Sequence, residues 1–433
     1  MTRQAAIPPA QPARPAGRLL REERDFRHVY ISQLISLGGD WFAIIPLLTL
    51  LPRLTGLGIW GALVLTADTL VFAMLAPYAG TVVDRVDRRI LMVTADLLSA
   101  VLIALLLFVR SDSTAWISLV AIGGVAAAKS FYAPAANAAL PNLIPAQDLA
   151  TANALNGAAW GVMLAVGAAL GGLAAELFGT SWCFGIDAVS FVISGALVAS
   201  ARKPFSEARE VSRKSSARAD IKEAIAYARA DHRVIALLTC KPGTAFGNGV
   251  LALFPLLALN VFHIGGIGVG LLFGARGLGA LIGPFVGRRF IRRDADSLWK
   301  VLAVSISFYG VAYMAFALTS WFPLALAFVV LAHIGASTNW NLSAFALQSS
   351  VPDYIRGRVF SADFMLGTLT LGLSQLVTGA LAEVLDARWL AFGLAATVFV
   401  YGGIWYAATA RARAPVDHLR AGAAVNTPTP GSS

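Results

Sequence analysis

Twelve apolar stretches follow one another along this chain, and that pattern limits its fold more than any other feature. They lie near 29–51, 58–80, 90–109, 115–137, 152–177, 182–201, 234–261, 267–287, 298–319, 323–347, 359–384 and 389–410. About 20 helical residues cross the hydrocarbon core of a bilayer, where every backbone N–H and C=O needs a partner within its own segment. Each stretch therefore reads as a membrane-spanning helix. Charged residues make up 13% of the chain, about half of the roughly 25% usual in a soluble domain.

The polar segments set the organisation. Residues 1–27 are rich in Pro, Ala and Arg and read as a disordered cytoplasmic tail, not a cleaved signal, because no short apolar core follows directly. Residues 202–233 divide the spans six and six, giving bundles at 28–201 and 234–410, with a second tail at 411–433. The end of the central loop, ADIKEAIAYARA, has helical spacing and is expected to lie on the membrane surface.

The net charge of +10 carries no basic–aromatic groove pattern, so a nucleic-acid partner is not expected. Its distribution is informative instead. Of 34 Lys and Arg residues, 28 fall on one side of the spans and only Arg53, Arg110 and Arg388 on the other. Lys129, Lys241 and Arg276 lie within spans or at their edges. Positive residues stay in the cytoplasm, which places both termini there. Cys183 and Cys240 fall at opposite ends of the bilayer in this topology, so neither a disulfide nor a metal cluster is expected.

The chain also repeats itself. At an offset of 207 residues, Pro77 meets Pro284, Gly80 meets Gly287, Pro145 meets Pro352, Gly172 meets Gly379 and Glu176 meets Glu383. At 209, GGDWFAIIPLL (38–48) meets GNGVLALFPLL (247–257). Two related six-helix halves follow, with a binding site between them near the midplane.

Between spans two and three, five of the six residues Asp84–Arg89 are charged. GTVVDRVDRR (80–89) resembles the loop 2–3 signature of the major facilitator superfamily through Gly80, Asp84, Arg85, Arg88 and Arg89, with Asp87 in place of the usual second Gly. That replacement resembles the bacterial siderophore and macrolide exporter branch. So do SQLISLGGDWF (32–42), the loop 4–5 stretch FYAPAANAALPNLIPAQDLATANAL (131–155), and SSVPDYIRGRVFS (349–361) with Arg356, Gly357 and Arg358. The resemblance covers about 26–410.

It implies that Asp84 caps the N-terminus of span eleven, where a helix end attracts a carboxylate. Arg85, Arg88 and Arg89 then pair with carboxylates or lipid phosphate, and the knot latches the halves on the cytoplasmic side. Asp96, two turns beyond Arg89, is expected to orient these arginines. GAALGG (167–172) resembles an exporter motif of helix five, but Ala168 stands where Pro is usual. Close packing through small residues explains that stretch equally well, as it does Gly279, Gly283 and Gly287.

A charge at mid-membrane costs about 2.5–3.5 kcal/mol on insertion scales, so it marks an interior or a wet cavity. Asp40, Asp68 and Arg276 fall mid-span. Lys129 belongs either to the cavity or to the cytoplasmic interface, where it would snorkel. The resemblance puts spans one, four, seven and ten around the cavity, favouring Asp40, Lys129, Asn339 and Asn341. Asp40 meets Gly249 in the repeat, so it has no acidic mate and suits a proton or substrate role. Arg276 is expected to pair with a buried carboxylate, the alternative being an anionic substrate. His333 reads as a packed residue, and Glu176 and Glu383 read as structural groups at outer helix ends.

GVAAAKS (124–130) lacks the glycine a phosphate loop needs and lies inside a span. An intramembrane enzyme or lipid scramblase is the alternative of another class; it needs a nucleophile–base pair or a lipid-sized lateral groove, and no such pair is visible in the sequence. The expectation is a secondary transporter that exports a small amphipathic molecule as a proton antiporter. Uptake of a nutrient or siderophore is the alternative. No cofactor, nucleic acid or obligate protein partner is expected, only substrate, lipid and the proton gradient.

Overall fold

The computed structural model describes residues 13–83, 85–206, 223, 226–291 and 296–413. Twelve of its helices are long and apolar enough to cross a membrane. They are α1 (Arg24–Thr55), α2 (Ile59–Val83), α3 (Arg88–Leu105), α4 (Trp116–Leu143), α5 (Leu149–Phe178) and α6 (Thr180–Ala199). After the central loop come α7 (His232–Val261), α8 (Gly265–Arg289), α9 (Ser297–Leu318), α10 (Phe322–Ser350), α11 (Asp353–Leu381) and α12 (Ala387–Ala408). Large apolar side chains that face outward, such as Phe178, Trp182 and Trp389, are about two-thirds exposed. That suits a hydrocarbon surrounding with aromatic residues at its edge.

Two differences from the sequence reading concern the polar segments. Residues 13–27 are not a disordered tail. Ala16–Glu22 form a short helix, and Arg14 pairs with the buried Asp148 at 2.7 Å and with Glu23 at 2.9 Å. Lys203 closes the cluster on Glu23 at 2.8 Å. Partial burial pushes the Glu23 carboxyl up, but the Lys203 and Arg14 charges outweigh it and hold it below its ordinary value. A depressed carboxyl stabilises the folded form above its unfolded value, about 4.3, and loses that contribution as the pH falls. The protection of residues 13–23 against hydrogen exchange, relative to the unfolded chain at the same pH, is therefore expected to fall below about pH 4. In the second difference, the loop 4–5 stretch is helical as far as Leu143, with Pro134 and Pro141 inside α4. Much of the expected surface helix of the central loop, and all of residues 1–12 and 414–433, lie outside the described residues; 226–230 are helical.

The fold is two six-helix bundles. In the first, α1 packs on α5 and α6, α2 on α4, and α3 on α4 and α6. In the second, α8 packs on α10, α9 on α10 and α12, and α7 on α11. The seam between bundles is made by α5 against α8 and by α2 against α11, two contacts that the repeat makes equivalent. Among these helices α7 is broken, with 3₁₀ turns over Asn248–Leu253 and a π turn over Leu257–Val261. Gly247, Gly249 and Pro255 fall in this stretch, and each weakens regular α hydrogen bonding.

The seam is closed on one face only. We term the face bearing both tails and the central loop the terminal face, and the other the distal face. At the distal face, a Cβ on Gly172 of α5 would lie 2.7 Å from the Gly266 carbonyl oxygen of α8. Only a glycine lets the two backbones approach so closely. Toward the terminal face, Cβ atoms at Gly157 of α5 and Gly357 of α11 would meet nothing within 4 Å. On the same half of α2, Met74 and Tyr78 are exposed. The closest approaches between the bundles therefore lie toward the distal face, and we term the space between the bundles toward the terminal face the cleft.

Candidate functional site

The deepest part of the cleft collects the buried charges of the first bundle. Asp40, midway along α1, forms an ion pair with Lys129, midway along α4. Both partners therefore lie at mid-depth, and Lys129 does not snorkel to the interface. Asp40 is 6% exposed, and its Oδ1 has no hydrogen-bond partner. Lys129 also lies 5.9 Å from the Phe191 ring.

Two more carboxylates act on the same ammonium, Asp68 of α2 and Asp187 of α6. Asp187 is fully buried and accepts one hydrogen bond, from Ser190 at 3.1 Å, while its Oδ2 is unpartnered. It reaches the site because Gly39 precedes Asp40: a Cβ there would collide with the Asp187 carboxylate and the Ser190 hydroxyl. The approach of Asp187 to Asp40 depends on that glycine. Asp40 thus pairs directly with Lys129, while Asp68 and Asp187 act on it at longer range in a medium that disfavours net charge.

Arg276 of α8 comes from the other bundle. Its guanidinium lies 5.7 Å from the Trp41 ring and 5.6 Å from the Trp160 ring, so it is held by aromatic faces of the opposite half. The expected carboxylate pairing is not found: among the described residues no acid lies within ion-pair distance of Arg276, and its Nε is buried without a partner. It feels Asp68 only at longer range. Trp41 also packs, tilted, at 5.6 Å against Phe273 of α8, and Trp160 is 41% exposed.

The remaining expectations divide. Asn339 does not line the cavity; it is fully buried, accepts from the Thr244 hydroxyl at 3.2 Å and donates to Cys240 Sγ at 2.9 Å, pinning α10 to α7. Asn341 is exposed and bonds back to the Ser337 carbonyl at 2.9 Å. His333 packs as expected, sharing a 2.9 Å hydrogen bond with the Tyr313 hydroxyl.

Arg88 and Arg89 of the charged knot hold backbone carbonyls of α4 and of the segment after α6. Arg88 is buried and donates to the carbonyls of Ala138 at 2.8 Å and Phe205 at 3.1 Å. Arg89 donates to the Lys203 carbonyl at 2.6 Å and covers the Phe205 ring. Both therefore brace the segment after α6, in place of the expected carboxylates or phosphate. Asp87 caps α3 through the Arg89 and Ile90 amides, and Arg85 is exposed. Asp96 does not orient the arginines; it is buried and accepts from Ser194 of α6 at 2.7 Å. Asp84 and the surroundings of Gly80 lie outside the described residues. In the loop 10–11 motif, Arg356 donates to the Val351 carbonyl and Arg358 pairs with Glu223 of the central loop at 2.7 Å.

One site was missed. Lys241 of α7 and Asp363 of α11 form an ion pair with both side chains at most 4% exposed, and the Trp340 ring lies 4.9 Å from the Lys241 ammonium. Both residues sat in apolar runs, and no local spacing tied one to the other.

The family model described as Major Facilitator Superfamily matches residues 29–374. Macrolide efflux protein A of Streptococcus pyogenes is 24% identical over 370 residues, covering 83% of this chain and 89% of that protein. The uncharacterized MFS-type transporter YkuC of Bacillus subtilis (strain 168) is 26% identical over 340 residues, covering 73% and 76%. Among solved structures, a bacterial homolog of the human lysosomal transporter Spinster, inward-facing and unoccupied, superposes with a TM-score of 0.66 at 14% identity, covering 90% of this chain and 98% of that one. A mutant form of the nucleoside transporter NupG gives 0.69 at 14% identity, covering 88% and 98%.

Proposed function

The chain belongs to the major facilitator superfamily, and from that premise we propose that it exports a bulky amphipathic molecule in exchange for protons. Membership makes it a multi-pass membrane transporter of a small molecule and not an enzyme. The drug-, antibiotic- or siderophore-like substrate, the direction and the proton coupling are our reading.

The observation that carries the reading is the Asp40–Lys129 pair with Asp68 and Asp187 around it. The two cations there, Lys129 and at longer range Arg276, cannot balance three carboxylates, so the cluster has a place for a proton. Protonation removes the excess charge, and the proton's exchange with either aqueous phase follows the face to which the cleft opens. A membrane potential of 100 mV adds about 2.3 kcal/mol per charge moved.

The Lys and Arg distribution supports a cytoplasmic terminal face, which makes this conformation open to the cytoplasm. An empty exporter loads substrate from that side. Trp41, Trp160 and Arg276 at the base of the cleft offer flat apolar faces to a large, weakly polar guest. The similarity to macrolide efflux protein A favours efflux of such a compound.

The test uses inside-out vesicles, acidified inside, with macrolides and other amphipathic drugs as probes. Accumulation that collapses with a protonophore is the expected result. Its absence for every probe, or uphill movement only into right-side-out vesicles, overturns the reading. Trp160→Ala is expected to raise KM about three- to tenfold with little change in maximal rate, the size of one aromatic contact.

A further inference from the structure

We infer that Glu383 and Glu176 are paired gate residues that hold the distal face shut, Glu383 by capping the first turn of α2 and Glu176 by lying against the first turn of α8. Glu383, just beyond α11, accepts a 2.7 Å hydrogen bond from the Ile59 amide, the first residue of α2. That amide is one of four at a helix start with no partner in its own helix, and it sits at the positive end of the helix dipole.

The repeat supplies the second member. At the offset of 207, Glu383 corresponds to Glu176, Ile59 to Gly266, Gly58 to Gly265 and Gly379 to Gly172. The structure brings the second set together at the same seam, among the described residues without a hydrogen bond from the start of α8 to Glu176. Glu176 Oε2 lies 3.8 Å from the position a Cβ on Gly266 would take, at the start of α8. Gly172 touches the Gly266 backbone, and Gly379 touches Ala62 and Ile59. In each set a glycine brings two helices of different bundles together. Four residues later, one turn along the same stripe, a glutamate reaches the end of the neighbouring helix.

A structural glutamate at a membrane interface needs no partner in the other bundle. These two have theirs across the seam that must part for the distal face to open, so both contacts break in that step. They are gate residues for transport, independent of which compound is carried or of its direction.

The experiment measures distances between spin labels. Leu57→Cys and Leu385→Cys report the distal face, and Val86→Cys with Phe290→Cys the terminal face; all four positions are at least 40% exposed. The native cysteines are buried and stay unlabelled. Glu383→Ala is expected to raise the ratio of distal-open to distal-closed molecules about tenfold, the size of one charge-assisted hydrogen bond. Glu176→Ala should give a smaller shift, and the double variant a larger one than either. Glu383→Gln, which keeps an acceptor, should recover part of the effect. The terminal distance must shorten as the distal one lengthens. An unchanged distal distance in the double variant overturns the inference, and so does distal widening without terminal closure, because that reports loosening and not gating.

Discussion

Asp40→Asn is expected to eliminate proton-driven transport while leaving substrate exchange between equal pH values measurable. The substitution keeps the size of the side chain but removes the one carboxylate in direct contact with Lys129. Charge balance in the cluster then no longer requires a proton to come and go, so the gradient loses its grip on the cycle. Glu at the same position is expected to keep some coupling, because the titrating group remains. The measurements are proton release on substrate addition and gradient-driven accumulation in vesicles. Full gradient-driven accumulation by Asp40→Asn would remove the cluster from the mechanism.

Lys241→Met is expected to be among the most destabilising single substitutions in the chain, costing about 3–5 kcal/mol, because it strands a buried carboxylate without its counter-ion. Asp363 is 2% exposed, and its Oδ1 already lacks a hydrogen bond. The double variant Lys241→Met, Asp363→Leu is expected to recover most of that loss, since two apolar side chains fill the space without desolvating charge. Thermal unfolding in detergent of both singles and the double completes the cycle. A double variant as unstable as the singles would show that the pair contributes more than mutual neutralisation. Transport by a stable double variant would then show whether the ions serve the cycle or only the packing of α7 against α11 and of Trp340 over Lys241.

Twelve crossings, the six-and-six division and the internal repeat were legible in the sequence. Helix length, backbone hydrogen bonding in hydrocarbon and the scarcity of tolerated charge are local constraints, and each leaves its mark on contiguous residues. The exceptional character of Asp40 was legible for the same reason: a charge in an apolar run is visible wherever it pairs. Its partner was not. Lys129 is 89 positions away, and only the packing of α1 near α4 decided between a cavity and the interface. Arg276 shows the converse. The sequence demanded compensation for its charge and suggested a carboxylate, but the fold supplied two indole faces from the opposite bundle. Asn339 was expected in the cavity from its helix alone, whereas its rotation about the α10 axis turned it toward Cys240 and Thr244. Arg88 and Arg89 were given to a latch between bundles and instead hold carbonyls of α4 and of the segment after α6.

Hydropathy and charge determine by themselves that a segment enters the membrane, because that free energy is summed over neighbouring residues. Which side chain meets which depends on helix rotation and on close approach at glycines such as Gly39 and Gly172, and those depend on every surrounding helix at once. The tertiary structure alone therefore decided the partners of each buried charge and the face on which the cleft is shut.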